Sequence, residues 1–144
     1  MFQFTALQRA ELSVTERYPF YLYIDEMHSF ISLSFANILS EARKYGLSLF
    51  LTHQYLDQLS EEIRLAIFGN VGTLISFRLG AEDALYLAKE FFPVFNQANF
   101  INLPPYSIYL KLMIDGVTSK AFSAKTLQPK KFALSFKKEI LELL

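Results

Sequence analysis

The chain has 144 residues, 52% apolar and 16% aromatic, and its fourteen basic side chains are balanced by fourteen acidic ones. That size suits one domain with a real core, the apolar share excludes disorder, and the cancelled charge excludes a global field that would draw nucleic acid to the surface. The lack of cysteine removes disulfides and thiolate sites, and no apolar run reaches the length of a membrane span.

Taken from the start, Phe4, Leu7 and Leu12 fall at helical spacing, and the segment has neither the basic start nor the cleavage site of a secretory leader. A leading helix over 1–17 and a cytoplasmic location are the expectations. Pro19 breaks the pattern and "FYLYI" begins, a short β-rich run of the kind buried on both faces of a parallel sheet. Phe35, Ile38, Leu39, Ala42 and Tyr45 then share one helical face, and Gly46 stands where a helix needs a left-handed stop. "LSLFL" makes a second strand. Ser60 followed by Glu61 and Glu62 reads as a cap with acids in the first turn, with Ile63, Ala66 and Ile67 inward and Gly69 closing the helix.

"TLISFRL" is a third strand, and Ala84, Leu87, Ala88 and Phe91 form the stripe of a helix that opens on Glu82 and Asp83 and ends before Pro93. A loop rich in Asn and Pro follows. "YSIYLKLMI" alternates, and Asp115-Gly116 is a two-residue turn signal that should fold "VTSKAFSA" back as a hairpin. The closing residues 130–144 read as a basic amphipathic tail, where Lys130, Lys131, Lys137 and Lys138 face only Glu139 and Glu142; a solvated tail explains that bias as well as a DNA contact does. Strand alternating with helix three times implies a parallel sheet with helices on both faces, extended at one edge by the hairpin. Three parallel strands are few for a free-standing fold of this class, so residues 1–144 read as one partial domain.

Chemistry in an open parallel sheet gathers beyond the carboxyl ends of the strands. The first strand ends on Asp25 and Glu26, the second runs through Thr52 and His53 to Gln54, and the third carries Arg78. Tyr21, Leu22, Tyr23 and Ile24 followed by Asp25 and Glu26 fit a Walker B element, in which one carboxylate holds Mg²⁺ through water and its neighbour polarises an attacking water. Solvated strand ends give the same hexad. Gln54 suits a residue that senses a γ-phosphate, and an amide bonded to local backbone reads equally well. Arg43 and Lys44 complement a helix dipole by default, and Arg78 has Glu82 and Asp83 as ready partners. His28 and His53 lie far apart in sequence, with no HExxH pair and no cysteine, so a zinc site is not expected. No glycine precedes a lysine, so the phosphate-cradling loop of P-loop proteins is missing from the chain.

In order and spacing, "YLYIDEMHSF", "LSEARKYGLSLFLTHQYLDQL", "IFGNVGTLISFRLGAEDA", and "LKLMIDG" followed by "FSAKT" resemble the carboxyl-terminal half of the motor domain of HerA and FtsK type DNA-pumping ATPases, over about residues 18 to 129. The nearest branch is that of the TraG and TraD conjugative coupling proteins. The resemblance implies a RecA-like α/β fold and a hexameric ring that hydrolyses ATP with Mg²⁺ to move double-stranded DNA. It makes Asp25 the Mg²⁺-associated acid, Glu26 the catalytic base, Gln54 the polar sensor, and Arg43 or Arg78 an arginine finger for a neighbouring subunit. It also implies partners in a membrane-associated secretion or conjugation machinery, at the inner membrane face. The family's phosphate-binding loop lies upstream of Walker B, so this stretch alone should neither hydrolyse ATP nor bind it tightly, and the surplus of phenylalanine predicts self-association. A scaffolding module that has kept the sheet and lost the chemistry is the alternative.

Overall fold

The computed structural model describes Ser13 and residues 18–30 and 33–128. The expected leading helix, apart from Ser13, and the tail over 130–144 lie outside the described residues. Strand β1, Phe20–Ile24, pairs in parallel with β2, Leu47–Leu51, and helix α1, Leu33–Glu41, makes the crossover between them. α1 tightens into a 3-10 turn at Ala42–Tyr45 and stops at Gly46, whose φ of 65° is the left-handed conformation that a side chain disfavours. All five residues of the expected stripe, Phe35, Ile38, Leu39, Ala42 and Tyr45, are buried. They pack with Met27, Leu47, Leu59 and Ile67 into a first core, against which the inward side chains Ile24, Leu49 and Leu51 of the two strands rest.

The parallel pair departs from the expectation of strands buried on both faces. Its second face carries Tyr21, Tyr23 and Phe50, all exposed, with the Tyr23 and Phe50 rings stacked at 4.5 Å between centroids. The strands therefore alternate in burial, because one face meets the helices and no described element covers the other.

Helix α2, Glu61–Asn70, starts at Ser60, whose hydroxyl accepts the Ile63 N–H. It runs through Gly69 rather than ending there, and Val71 is its carboxyl cap. Strand β3, Leu74–Ser76, is shorter than "TLISFRL" suggested, and its hydrogen-bonded neighbour is β4, Ser107–Lys111, running antiparallel. Among the described residues the hydrogen-bonded parallel component is thus two strands rather than three. β3, β4 and β7 (Phe122–Lys125) form a separate antiparallel sheet, with β4 central. The turn signal at Asp115-Gly116 holds: both residues have positive φ, 48° and 79°, and they join the two-residue strands β5, Met113–Ile114, and β6, Val117–Thr118. The chain returning from β6 then pairs with β4 as β7, so the expected hairpin forms on an antiparallel sheet.

Helix α3, Ala81–Glu90, carries Glu82 and Asp83 in its first turn and ends at Phe91. The Asn- and Pro-rich loop contains a further helix, α4, Gln97–Ile101, closed by a reciprocal capping box between Asn96 and Asn99. Ala84, Leu87, Phe91, Phe100, Leu103 and Tyr109 make a second core on β4. Aromatic contacts dominate it: Phe91 meets Phe100 edge-on at 5.3 Å, and Phe95 stacks on Tyr109 at 3.7 Å. Leu56 packs against both cores, and its N–H donates to Asp83 at 3.2 Å, which ties the segment after β2 to the start of α3.

Candidate active site

The site grows out of the parallel ladder. Ile24 stands opposite Leu51, and the pairing continues past both: the Thr52 N–H donates to the Ile24 carbonyl at 2.9 Å, and the Met27 N–H donates to the Thr52 carbonyl at 3.2 Å. Two carboxyl-terminal strand ends are thereby held side by side for three further residues. Glu26 turns the chain with φ 48° and ψ 57°, a left-handed conformation uncommon outside glycine and asparagine, and buried Met27 anchors the far side of the turn in the first core.

Asp25 and Glu26 face the partner strand's extension. Asp25 Oδ1 accepts the Glu26 N–H at 3.1 Å and the Thr52 hydroxyl, and Glu26 Oε1 accepts the Gln54 side-chain amide. The other Glu26 oxygen, Oε2, lies 3.7 Å from His28 Nδ1 and 3.9 Å from His53 Nδ1. The two imidazoles are 5.2 Å apart between ring centroids. The His53 side chain is only 4% exposed, and neither of its ring nitrogens has a hydrogen-bond partner among the described residues. Burial holds its pKa below the ordinary imidazole value, and the neighbouring His28 adds to that; the Tyr55 backbone, near it without forming a well-made hydrogen bond, pulls weakly the other way with Glu26 and Asp83.

The expected constellation divides. The structure brings Asp25, Glu26 and Gln54 to one rim, and adds Thr52 as a direct partner of Asp25. It does not bring Arg78 there by any contact among the described residues: Arg78 follows β3, is exposed, and pairs with neither Glu82 nor Asp83. Asp83 is engaged by Leu56 instead. Arg43 sits in the 3-10 turn that ends α1, and its side chain lies outside what the structure describes. The two histidines, set aside on sequence distance, fall against Glu26. Their signal was present only indirectly, His28 two residues after Glu26 and His53 one residue before Gln54, and it becomes readable once the β1 to β2 register is known.

Chemically, an exposed carboxylate with one oxygen bonded by a hydroxyl and an amide, and the other making no hydrogen bond among the described residues, suits a hard cation held through water. The adjacent glutamate, oriented by an amide, suits polarising a water. Both sit where open α/β sheets place their ligands.

Residues 19–91, just over half of the chain, match the family model described as the TraM recognition site of TraD and TraG. The chain belongs to this family. Among the solved structures that resemble this TraD/TraG domain is "Plasmid coupling protein TrwB in complex with ADP and Mg2+", with a TM-score of 0.68 and 19% sequence identity. The likeness covers 89% of this chain and 35% of that one, so this member of the TraD/TraG family spans about a third of the length of TrwB. At that identity the likeness establishes the fold, a mixed α/β arrangement with a parallel component and antiparallel strands, of the class expected from the sequence. The family assignment narrows the HerA and FtsK resemblance to its coupling-protein branch. No curated protein matches significantly. No helix among the described residues is long and apolar enough to cross a membrane.

Proposed function

We propose that this TraD/TraG domain is the carboxyl-terminal part of an ATP-driven DNA translocase of the coupling-protein type, and that its β1 to β2 rim is the hydrolytic half of the nucleotide site. The observation that carries the reading is the meeting of Asp25 and Glu26 with Thr52 and Gln54 across the carboxyl ends of two parallel strands. In this reading Asp25, with Thr52 fixing its carboxylate, holds the ion's water shell. Mg²⁺, when bound with ATP, offsets charge on the phosphates. Glu26 takes the proton of the attacking water, and Gln54 keeps that carboxylate oriented and reports on the γ-phosphate side. Arg43 is the first candidate for a finger that reaches a neighbouring subunit's nucleotide, and Arg78 the second.

The phosphate-binding loop must come from outside these residues, since none of the glycines precedes a lysine. A ring of six copies, double-stranded DNA as the substrate, and a membrane-associated conjugation or secretion machinery complete the proposal. The description of the family as a TraM recognition site supports a protein partner of that machinery docking on residues 19–91.

The test is Glu26→Gln in a protein that carries this domain together with an upstream phosphate-binding loop. Hydrolysis should fall by about 10²- to 10⁴-fold, the usual contribution of a positioned base, while ATP binding persists. A scaffolding module derived from such an ATPase would show no hydrolysis to lose and the same assembly in both proteins; that outcome overturns the motor reading.

A further inference from the structure

We infer that Glu26, His28 and His53 form a binding site for a divalent transition metal of the zinc class. One donor atom from each residue lies within 4.8 Å of the donors of the other two. Zinc holds imidazole nitrogen and carboxylate oxygen at about 2.0–2.2 Å in tetrahedral geometry, which sets neighbouring ligand atoms roughly 3.4 Å apart. Glu26 Oε2 already stands 3.7 Å from one imidazole nitrogen and 3.9 Å from the other. Closing the triangle takes side-chain movement on the order of 1 Å, which His28, on the exposed turn after Glu26, is free to make.

His53 supplies the independent observation. Its side chain is 4% exposed, its Nδ1 lies 3.9 Å from the Glu26 carboxylate, and both of its nitrogens lack a hydrogen-bond partner among the described residues. A buried polar group left in that state costs free energy and calls for an explanation. A cation between His53 and Glu26 supplies one. The rest of the arrangement agrees. Gln54 occupies only Oε1 of the glutamate, which leaves Oε2 turned to the two rings. The Ser29 hydroxyl lies 3.3 Å from His28 Nε2, the ring nitrogen remote from the site, so the other nitrogen is directed at the glutamate.

Two imidazoles and one carboxylate are a borderline-soft donor set. It favours zinc or cobalt over magnesium, which prefers the all-oxygen surroundings of Asp25. Three protein ligands leave a fourth position open to water, unlike the closed four-ligand sites that serve structure alone. The site shares Glu26 with the motor reading, through Oε2 where Gln54 holds Oε1, and a metal bound there would occupy the carboxylate that the motor reading uses as base. Its test needs neither nucleotide nor DNA, so the two readings fail separately.

Calorimetric titration of the 144-residue chain with zinc chloride, and visible absorption on titration with cobalt(II), test it. One metal per chain is expected, with the intense visible bands of four-coordinate cobalt, and with no displacement by a large excess of magnesium. His53→Gln and His28→Gln should each weaken zinc binding by about a hundredfold or more, since loss of a supporting partner alone costs ten- to a hundredfold. His28 is exposed, so its variant reports on binding even where the His53 variant unfolds. Failure of zinc to bind, magnesium displacing it, or unchanged binding in the folded His28 variant would overturn the site.

Discussion

The two cores of this domain are built to different ends. The first, around α1, β1 and β2, is largely aliphatic, and its buried members keep a few per cent of their surface in contact with solvent. It supports a rim that holds a left-handed glutamate, a buried histidine side chain with no hydrogen bond among the described residues, and a sheet face of exposed aromatic rings. The second core, around α3, α4 and β4, is aromatic and closed: Ala84 and Phe100 are at 0% exposure and Phe91 at 1%. Its short helix α4 is capped reciprocally by Asn96 and Asn99, and Lys111 donates to the Glu90 carbonyl at the end of α3, where a cation also complements the helix dipole. The rim thus combines the unpartnered His53 imidazole with Glu26, one of three described non-glycine residues at positive φ, beside Tyr106 and Asp115. The first region carries the polar rim, and the second anchors the segment that follows that rim through Asp83 and Leu56.

That contrast predicts the largest stability loss in the second core. Phe100→Ala removes a ring buried on all sides and should cost about 3–5 kcal/mol in chemical denaturation. Ile38→Ala in the first core should cost less, because Ile38 is already 8% exposed and its surroundings have more room to relax. Equal losses would break the comparison. Next comes Gly72. A Cβ there would lie 2.8 Å from the Met113 Cβ, so that β5 must move, and Gly72→Ala should cost about 1–3 kcal/mol as an overpacked contact. The opposite sign is expected at the rim. His53→Leu replaces an unpartnered buried imidazole with an apolar side chain and should leave stability unchanged or raise it by about 1 kcal/mol in the metal-free chain. A clear loss there would show that His53 is satisfied after all.

The smallest effect is a titration. The Tyr45 hydroxyl donates to the Glu41 carboxylate, and that hydrogen bond, aided by burial and by the glutamate's charge, raises the Tyr45 pKa above its ordinary value of 10.0. The unfolded chain therefore gives up this proton at lower pH than the folded one, and the stabilisation is fully present below the ordinary value. It is lost as pH rises through the folded value, so alkaline unfolding of the protein should steepen above pH 10, and Tyr45→Phe should remove that part of the dependence.

Much of the fold was legible. The stripe from Phe35 to Tyr45 was readable because helical spacing and burial coincide, and Gly46 and Asp115-Gly116 because left-handed backbone narrows the choice of residue. The Ser60 cap was readable for a similar local reason. The helix over Gln97–Ile101 was missed as a loop because five residues are too few to show a period; its one signal was the pair Asn96 and Asn99 at capping spacing. Antiparallel pairing of β3 with β4 was not legible, since an apolar run that short carries no mark of its partner's direction. In the site, Asp25, Glu26 and Gln54 stood out as polar residues closing apolar strands. Thr52 as a partner of Asp25, and the histidines as neighbours of Glu26, did not.

Local order along the chain was enough to determine the elements, the turns, the polar strand ends and the resemblance to the coupling proteins, because each depends on residues a few positions apart. Which side chains meet was decided only by the tertiary structure. Glu26, His28 and His53 come together through a parallel pairing more than twenty residues apart in sequence, whose register, Ile24 opposite Leu51, is set by packing on α1 and α2 and not by any neighbouring residue. The same packing left Tyr21, Tyr23 and Phe50 facing outward, since the burial of a strand face depends on what lies over it.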